Sequence, residues 1–429
     1  MNVMRILHIG DIHFPDNKYI VDHKDPSMPD QLVKAVSPNI LQEVFRKVLD
    51  IVFGDNKINV VMFSGDLTTG GNIIEYQKCV DYLCTALKLN DVSFWQPENI
   101  HVVPGNHDVD RESCDDLDLS KKFQPLRNAW SKQGLQVIAT DSIRSTSVKA
   151  GNCNLKIFSL NSCWGCGEKR YLPNAVQEKF KEILELVAKE NQGNKGNLEL
   201  IWEQLDTPAF VQDHISELIS ELNKLDKNTL PIVMCHHNIL PQAVPRIAVY
   251  TELINAGIVR TRLVNVKHPV LLCHGHIHEN VVEIVRHTSS EFGPLLITSA
   301  PDVAKGFNLI EVVFTDDGFP MGCKIIPYLR SSDGEVRLAS NKIEPIPLHS
   351  VSAYLAIAKE PIVELIRKLK PDYIRFHEVY EKFKKIQGAQ EFNEVQFSEL
   401  LEEAEWFGLV KIASREEQFK HWQVMRQLP

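Results

Sequence analysis

The chain lacks any run of about twenty apolar residues, so no membrane span is expected among its 429 residues. Its first residues lack a basic stretch followed by an apolar core and a cleavage site, so no secretory signal is read. Internal repeats and low-complexity tracts are absent, which excludes solenoid and array architectures. Basic charge is in deficit. Lys and Arg number 47 against 56 Asp and Glu, a formal net charge of -9. That balance argues against strong non-specific nucleic-acid binding over the whole surface, though it leaves room for a local basic groove. The nine cysteines are odd in number and show no framework spacing. A disulfide scaffold is therefore excluded, and a reducing, cytoplasmic setting is expected. One Cys-x-x-Cys does occur, at Cys163 and Cys166 in "NSCWGCGEK". It lacks the second pair, or the histidines at partner spacing, that a zinc site would want, and reads as two free thiols in a loop.

What remains is an ordinary globular composition, 44% hydrophobic and 24% charged, with length for roughly two to three domains. Apolar runs alternate with helical periodicity. "RILHIGD" (5–11), "INVVMFSGD" (58–66), "NIHVVPGNHD" (99–108), "LKIFSLNS" (155–162), "LPIVMCHH" (230–237) and "HPVLLCHGHIH" (268–278) read as strands. Segments 39–53, 76–89, 208–225 and 250–266 read as helices between them. "VVEIVR", "PLLITSA", "NLIEVVF" and "CKIIPY" add further strands. The pattern is that of a layered α/β domain over residues 1–335. A polar, proline-containing stretch at 336–352 reads as a linker. Residues 353–429 then predict three helices and a hairpin, the grammar of a winged helix. The third of these helices (about 394–406) is acid-rich and would repel phosphate. A partner or self-association surface is expected there rather than a DNA-binding one. The segment Phe14–Pro38 is a long loop after the first strand, of a length that is commonly functional. Glu190–Gly196, "ENQGNKG", reads as a mobile loop.

Five of the apolar runs end in residues suited to metal ligation. They lead to Asp11 and His13, to Asp66, to Asn106 and His107, to His236 and His237, and to His274, His276 and His278. Ligands bind outside the carboxyl ends of strands in open α/β sheets, so these residues are expected to converge. Taken singly, each has a plain reading as a turn or an exposed imidazole. Together, carboxylates, imidazoles and one amide suit two divalent cations.

Asp11-x-His13, Gly65-Asp66, Gly105-Asn106-His107-Asp108, His236 and Gly275-His276-x-His278 together resemble the calcineurin-like metallophosphoesterase superfamily, over roughly residues 1–330. The resemblance implies a four-layer α/β/β/α sandwich. It implies that Asp11, His13, Asp66 and His278 hold a first metal, and that Asp66 bridges to a second held with Asn106, His236 and His276. His237 is the alternative to His236. Manganese leads the expected metals, with iron, zinc and nickel open. His107 would stabilise developing charge and protonate the leaving oxygen, oriented by Asp108. A metal-bridging hydroxide would attack phosphorus in line with the leaving group.

"GDLTTGG" departs from the Gly-Asp-x-x-Asp-Arg-Gly of the protein phosphatases of this fold, and Asp108 stands where they carry Glu. "SGDLTTGG", "GNHD", "CHHN" and "GHIH" are most similar to the bacterial cyclic-nucleotide phosphodiesterase branch and to stand-alone bacterial phosphoesterases. The expected function is hydrolysis of a phosphodiester in a nucleotide, cyclic nucleotide or nucleic acid. The alternatives are a DNA or RNA nuclease working with a partner protein, in phage defence or repair, and a non-catalytic metal-binding module. Arg111, His237, Trp164 and Tyr171 are candidate substrate contacts: the arginine for phosphate, the aromatics for stacking on a base. The plainer readings are a solvated charge for Arg111 and ordinary packing for the aromatics. Asn161 and Ser162 are candidates to support the metal shell, and His274 reads as a supporting or exposed imidazole.

Overall fold

In the computed structural model, described residues are 1–18, 32, 38–54, 57–114, 116–135, 140–168, 174–190, 206–241, 253–289, 291–340, 343, 345–415 and 417–427. Most of the Phe14–Pro38 loop, Tyr171, and all of the 190–196 segment except Glu190 lie outside them.

Two large sheets form the first unit. One contains β1 (Asn2–Ile9), β2 (Val60–Phe63), β3 (Ile100–Val102), β10 (Gly306–Phe314), β11 (Pro320–Arg330) and β12 (Val336–Leu338), in the order β12-β11-β10-β1-β2-β3. β13 (Ile346–Pro347) also pairs with β11. The other contains β4 (Arg144–Ala150), β5 (Cys153–Ser159), β6 (Thr229–Met234), β7 (Val270–His274), β8 (Val282–Val285) and β9 (Leu295–Ser299), in the order β4-β5-β6-β7-β9-β8. Residues 336–352, read as a linker, thus include β12 and β13 on the edge of the first sheet.

Strand alternation sorts the side chains into layers. Met4 and Ile6 of β1 and Val60 and Met62 of β2 cluster with Leu155, Ile157, Leu230, Ile232 and Leu271 of the opposing sheet. Their neighbours Leu7, Ile9, Val61 and Phe63 point the other way, onto the apolar faces of two helices. These are α1 (Ile40–Phe53) and α2 (Ile73–Leu87), capped by the side chains of Asn39 and Asn72. Helix α3 (Gln124–Lys132) adds Leu126 and Trp130 to the same cluster. After α4 (Asn174–Glu190), helices α5 (Gln212–Leu222) and α6 (Ala256–Val264) cover the outer face of the second sheet through Ile215, Leu218, Val259 and Leu263. Strands buried on both faces need near-continuous apolar runs, which the sequence supplies. The result is the expected α/β/β/α sandwich.

The C-terminal unit follows α7 (Val351–Leu355). It runs α8 (Glu360–Lys368), β14 (Ile374–Arg375), α9 (Phe376–Lys384), α10 (Glu394–Trp406), β15 (Val410–Ala413) and β16 (Gln423–Arg426). Its small sheet has the order β14-β16-β15. This helix–strand–helix–helix–strand–strand order is the winged-helix arrangement. The acidic helix α10 packs on the first unit. Trp406 lies against Gly322 of β11, Lys324 sits 5.5 Å from the Trp406 ring, and Val313 and Met321 join the C-terminal core. The Met1 ammonium lies 4.0 Å from Glu399.

Burial of Glu403 in this helix pushes its carboxyl up from 4.5 to about 7, partly offset by Lys359. Below the unfolded value both states are protonated, and Glu403 has no effect. As pH rises toward about 7 the unfolded chain ionises first, so stability falls. Glu403→Gln is expected to raise the melting temperature at about pH 8.5, by about 1–2 kcal/mol of stability, and to change nothing near pH 4. Equal effects at both pH values would exclude this account.

A candidate metal centre at the strand ends

The parallel strands of both sheets finish at one edge of the sandwich, and the chain turns sharply there. Among the described residues, seven non-glycine residues have positive φ, and five of them are Asp11, His13, Asp66, His276 and His278. The left-handed region is costly for such side chains, so strain is concentrated where ligand-type residues gather. Two glycines permit the close approach. A Cβ on Gly105 would lie 2.0 Å from Asp66 Oδ1, and one on Gly65, at φ +95°, would lie 2.5 Å from His236 Nδ1.

Asp11, His13, Asp66 and His278 form one group, each offering an atom within 4.8 Å of the others. His278 Nε2 lies 3.4 Å from Asp11 Oδ1, and His13 Nε2 lies 3.7 Å from Asp66 Oδ2. The Nε2 atoms of His13 and His278 face each other at 3.4 Å. Two such nitrogens meet either as an N–H···N hydrogen bond between different tautomers or as paired donors to a cation. Asp302, which no motif announced, stands behind His278, its Oδ2 3.6 Å from Nδ1.

The second group shares Asp66. His236 Nε2 lies 3.2 Å from Asp66 Oδ2 and 3.1 Å from Asn106 Oδ1. His236 Nδ1 lies 2.7 Å from the Ser64 carbonyl, to which it donates. That bond fixes Nδ1 as the donor to the backbone and turns Nε2 toward the carboxylate. His276 stands 5.1 Å from His236, ring to ring, and its backbone N–H donates to Asp11. His237 turns Nδ1 to the Ser162 hydroxyl at 2.9 Å, while its ring stays 4.5 Å from that of His276.

Electrostatics match this geometry. Burial alone would raise Asp66, but His236, His107 and His13 outweigh it and hold the carboxylate well below its usual range. Burial would lower His236, yet Asp66 drives it up to about 10. A buried carboxylate thus holds a proton on an adjacent imidazole, and a divalent cation replaces that proton naturally. The deeper imidazoles behave differently: burial lowers His8 to about 3 and His274 to about 4. His274 is therefore a buried supporting imidazole, with Nδ1 2.9 Å from the Gly275 carbonyl.

Two expectations need correction. Asp108 was expected to orient His107. Its oxygens instead accept the N–H groups of Leu67, Thr68 and Gly105 and the Thr68 hydroxyl, so it ties two of the turns together. The carbonyl of Thr69 stands 3.2 Å from His107 Nδ1 and is the acceptor placed to orient it. Arg111, read as a phosphate contact or a solvated charge, is instead clamped by Asp206 at 2.7 and 3.2 Å and donates to the Asn106 carbonyl. Asp206 also accepts from Asn106 Nδ2 at 3.0 Å, which points the amide oxygen at His236. The sequence reading missed Asp206 because it lies 100 residues from Asn106 with no motif around it. Trp164 packs edge-on against Phe123 and beside His214, so packing is the reading it satisfies. Asn161 braces the following turn by accepting from Cys163 N.

A family model of calcineurin-like phosphoesterases matches residues 4–280. The chain belongs to the calcineurin-like phosphoesterase family. Membership implies a phosphoester hydrolase that uses divalent metals. The structure is similar to a 5'-nucleotidase precursor from Thermus thermophilus, with 15% identity and a TM-score of 0.42, covering 86% of this chain and 60% of that one. It is also similar to the NAD nucleotidase of Haemophilus influenzae, with 11% identity and a TM-score of 0.41, covering 83% and 62%. The phosphopantetheinyl hydrolase of Mycobacterium tuberculosis shares 11% identity at a TM-score of 0.34, covering 69% and 89%. This phosphoesterase chain spans less than two thirds of the nucleotidases' own length. No curated protein matches its sequence. Among the described residues, no helix is long and apolar enough to cross a membrane.

Proposed function

We propose that the chain is a dinuclear-metal phosphodiesterase acting on a nucleotide or cyclic nucleotide. The observation that carries the proposal is the shared carboxylate: Asp66 Oδ2 lies 3.7 Å from His13 and 3.2 Å from His236, between the two ligand groups. Asp11, His13, Asp66 and His278 would hold one cation. Asp66, Asn106, His236 and His276 would hold the other. When bound, two divalent cations supply Lewis acidity toward the phosphoryl group and activate water. Manganese leads the candidates, with iron, zinc and nickel open, since a mixed imidazole–carboxylate set favours these over magnesium or calcium.

The residues of the chain do the positioning. His13 and His107 lie 4.8 Å apart, ring to ring, so His107 stands at the rim of the first group. Its backbone N–H donates to Asp66 Oδ1 at 2.9 Å. With Nδ1 held at the Thr69 carbonyl, Nε2 would meet a phosphoryl oxygen and, when protonated, give a proton to the leaving alkoxide. His107→Asn is expected to lower kcat by about 10²–10⁴-fold while metal content stays unchanged. Loss of metal along with activity would reassign His107 to the metal shell.

The acidic helix α10, packed on the first unit through Trp406, favours a small nucleotide over duplex DNA, because its carboxylates repel phosphate. The C-terminal unit is proposed as a partner or self-association surface. The test is product analysis of the manganese-loaded chain on cyclic mononucleotides, linear dinucleotides, 5'-mononucleotides and short DNA. Mononucleotides from diesters alone support the proposal. Inorganic phosphate from the monoesters makes it a monoesterase. Shortened DNA makes it a nuclease.

A further inference from the structure

A second constellation lies beneath the strand ends, and the proposed mechanism does not use it. Cys163 and Cys166 follow β5, and Cys166 N donates to the Cys163 carbonyl at 3.0 Å, closing a turn around both thiols. His237 follows β6, the neighbouring parallel strand. The fold therefore delivers the histidine that sequence spacing did not. Its Nδ1 lies 3.9 Å from Cys163 Sγ, and one ligand atom from each of the three residues falls within 4.8 Å of the others. All three are at most 1% exposed.

From this geometry we infer that Cys163, Cys166 and His237 hold a structural zinc ion, beside the strand-end centre, whose His236 and His276 also lie within 4.8 Å of His237. Tetrahedral zinc with roughly 2.3 Å bonds to sulfur and 2.0–2.1 Å to nitrogen sets the two donors about 3.5 Å apart, within a small side-chain rotation of the observed separation. Two thiolates and an imidazole select zinc over manganese. Binding releases two protons, one from each thiol, and the imidazole binds through the lone pair of Nδ1. The Ser162 hydroxyl lies 2.9 Å from that nitrogen and accepts from the His237 backbone N–H at 3.2 Å, within reach of the fourth position.

The loop is braced as a metal loop needs to be. Lys122 Nζ donates to the carbonyls of Trp164 and Cys166 and pairs with Glu168 at 2.7 Å, with both side chains 1% exposed or less. Asn161 holds the Cys163 N–H. This bracing fixes the thiol positions from outside. The ring of His237 lies 4.8 Å from that of His236 and 4.5 Å from that of His276, so zinc would stiffen two imidazoles of the strand-end centre.

The test is optical and needs no activity. Full-length protein, purified without oxygen and stripped of metal, is titrated with cobalt(II). Thiolate ligation gives an intense near-ultraviolet charge-transfer absorption, which nitrogen and oxygen ligands do not give. The band is expected in the wild type, retained in Asp66→Asn and lost in the Cys163→Ser/Cys166→Ser double variant. Zinc is expected to displace the cobalt and abolish the band. Cobalt bound without the band would overturn the site and leave the strand-end centre standing, since that centre contains no sulfur. A Cys163–Cys166 peptide two hydrogens lighter, showing a disulfide in the native protein, would also overturn it. If the double variant does not fold, the wild-type spectrum decides.

Discussion

Asp66→Asn should lower kcat/KM by at least about a thousandfold, about 4 kcal/mol of barrier. The change also removes the charge shared by the two ligand groups, so manganese should no longer raise the melting temperature. Asparagine is the right probe. Asp66 sits at φ 52°, in the left-handed region that asparagine tolerates better than other side chains with a Cβ. The amide oxygen can still accept from the His107 N–H, which now bonds Asp66 Oδ1 at 2.9 Å. What is lost is the negative charge that holds His236 cationic without metal and would bridge two cations with it. Circular dichroism should therefore match the wild type while turnover and the manganese-induced shift disappear together. A variant that keeps the shift but loses turnover would place Asp66 in chemistry rather than in metal binding.

The layers and the strand-end residues were legible in the sequence because both follow from local rules. Strands buried on two faces must be continuous apolar runs, and the chain ends five of them in residues that carry donors. Helices α1 and α2 showed themselves by period and were capped at asparagines. Illegible elements were those whose pattern is set by one contact face. β4, "RSTSVKA", is an edge strand with a single fully buried residue, Val148, and its polar sequence gives no strand signal. α3 buries only Leu126, Ala129 and Trp130. β14 is two residues long and exists only because β16 pairs with it. At the site, the residues on the motifs could be named, but their bracing could not. Ser64, Asp206 and Asp302 act through tertiary contacts that no spacing encodes. The reading of Asp108 failed for the same reason. Adjacency in sequence suggested a partnership with His107, whereas the turn directs the carboxylate to three backbone N–H groups instead.

Asp206→Ala should be the most destabilising substitution near the centre. The Arg111 side chain is 17% exposed and that of Asp206 7%, with two N–H···O contacts between them. Removing the carboxylate takes the counter-charge from a mostly buried guanidinium that keeps the Asn106 carbonyl as an acceptor, at a cost of about 3 kcal/mol. The same change frees the amide of Asn106, whose nitrogen now donates to Asp206. With its acceptor gone, the amide can rotate and present nitrogen to the cation, and turnover should fall by about 10–100-fold beyond any loss of folded protein. The two effects separate in a double variant. Asp206→Leu with Arg111→Met removes the charge together with its partner, so thermal stability should recover most of the loss. Turnover should stay low, because Asn106 still lacks the oxygen that turns its amide. Recovery of both together would mean that Asp206 serves stability alone and that the orientation of Asn106 is set by His236 and the cation.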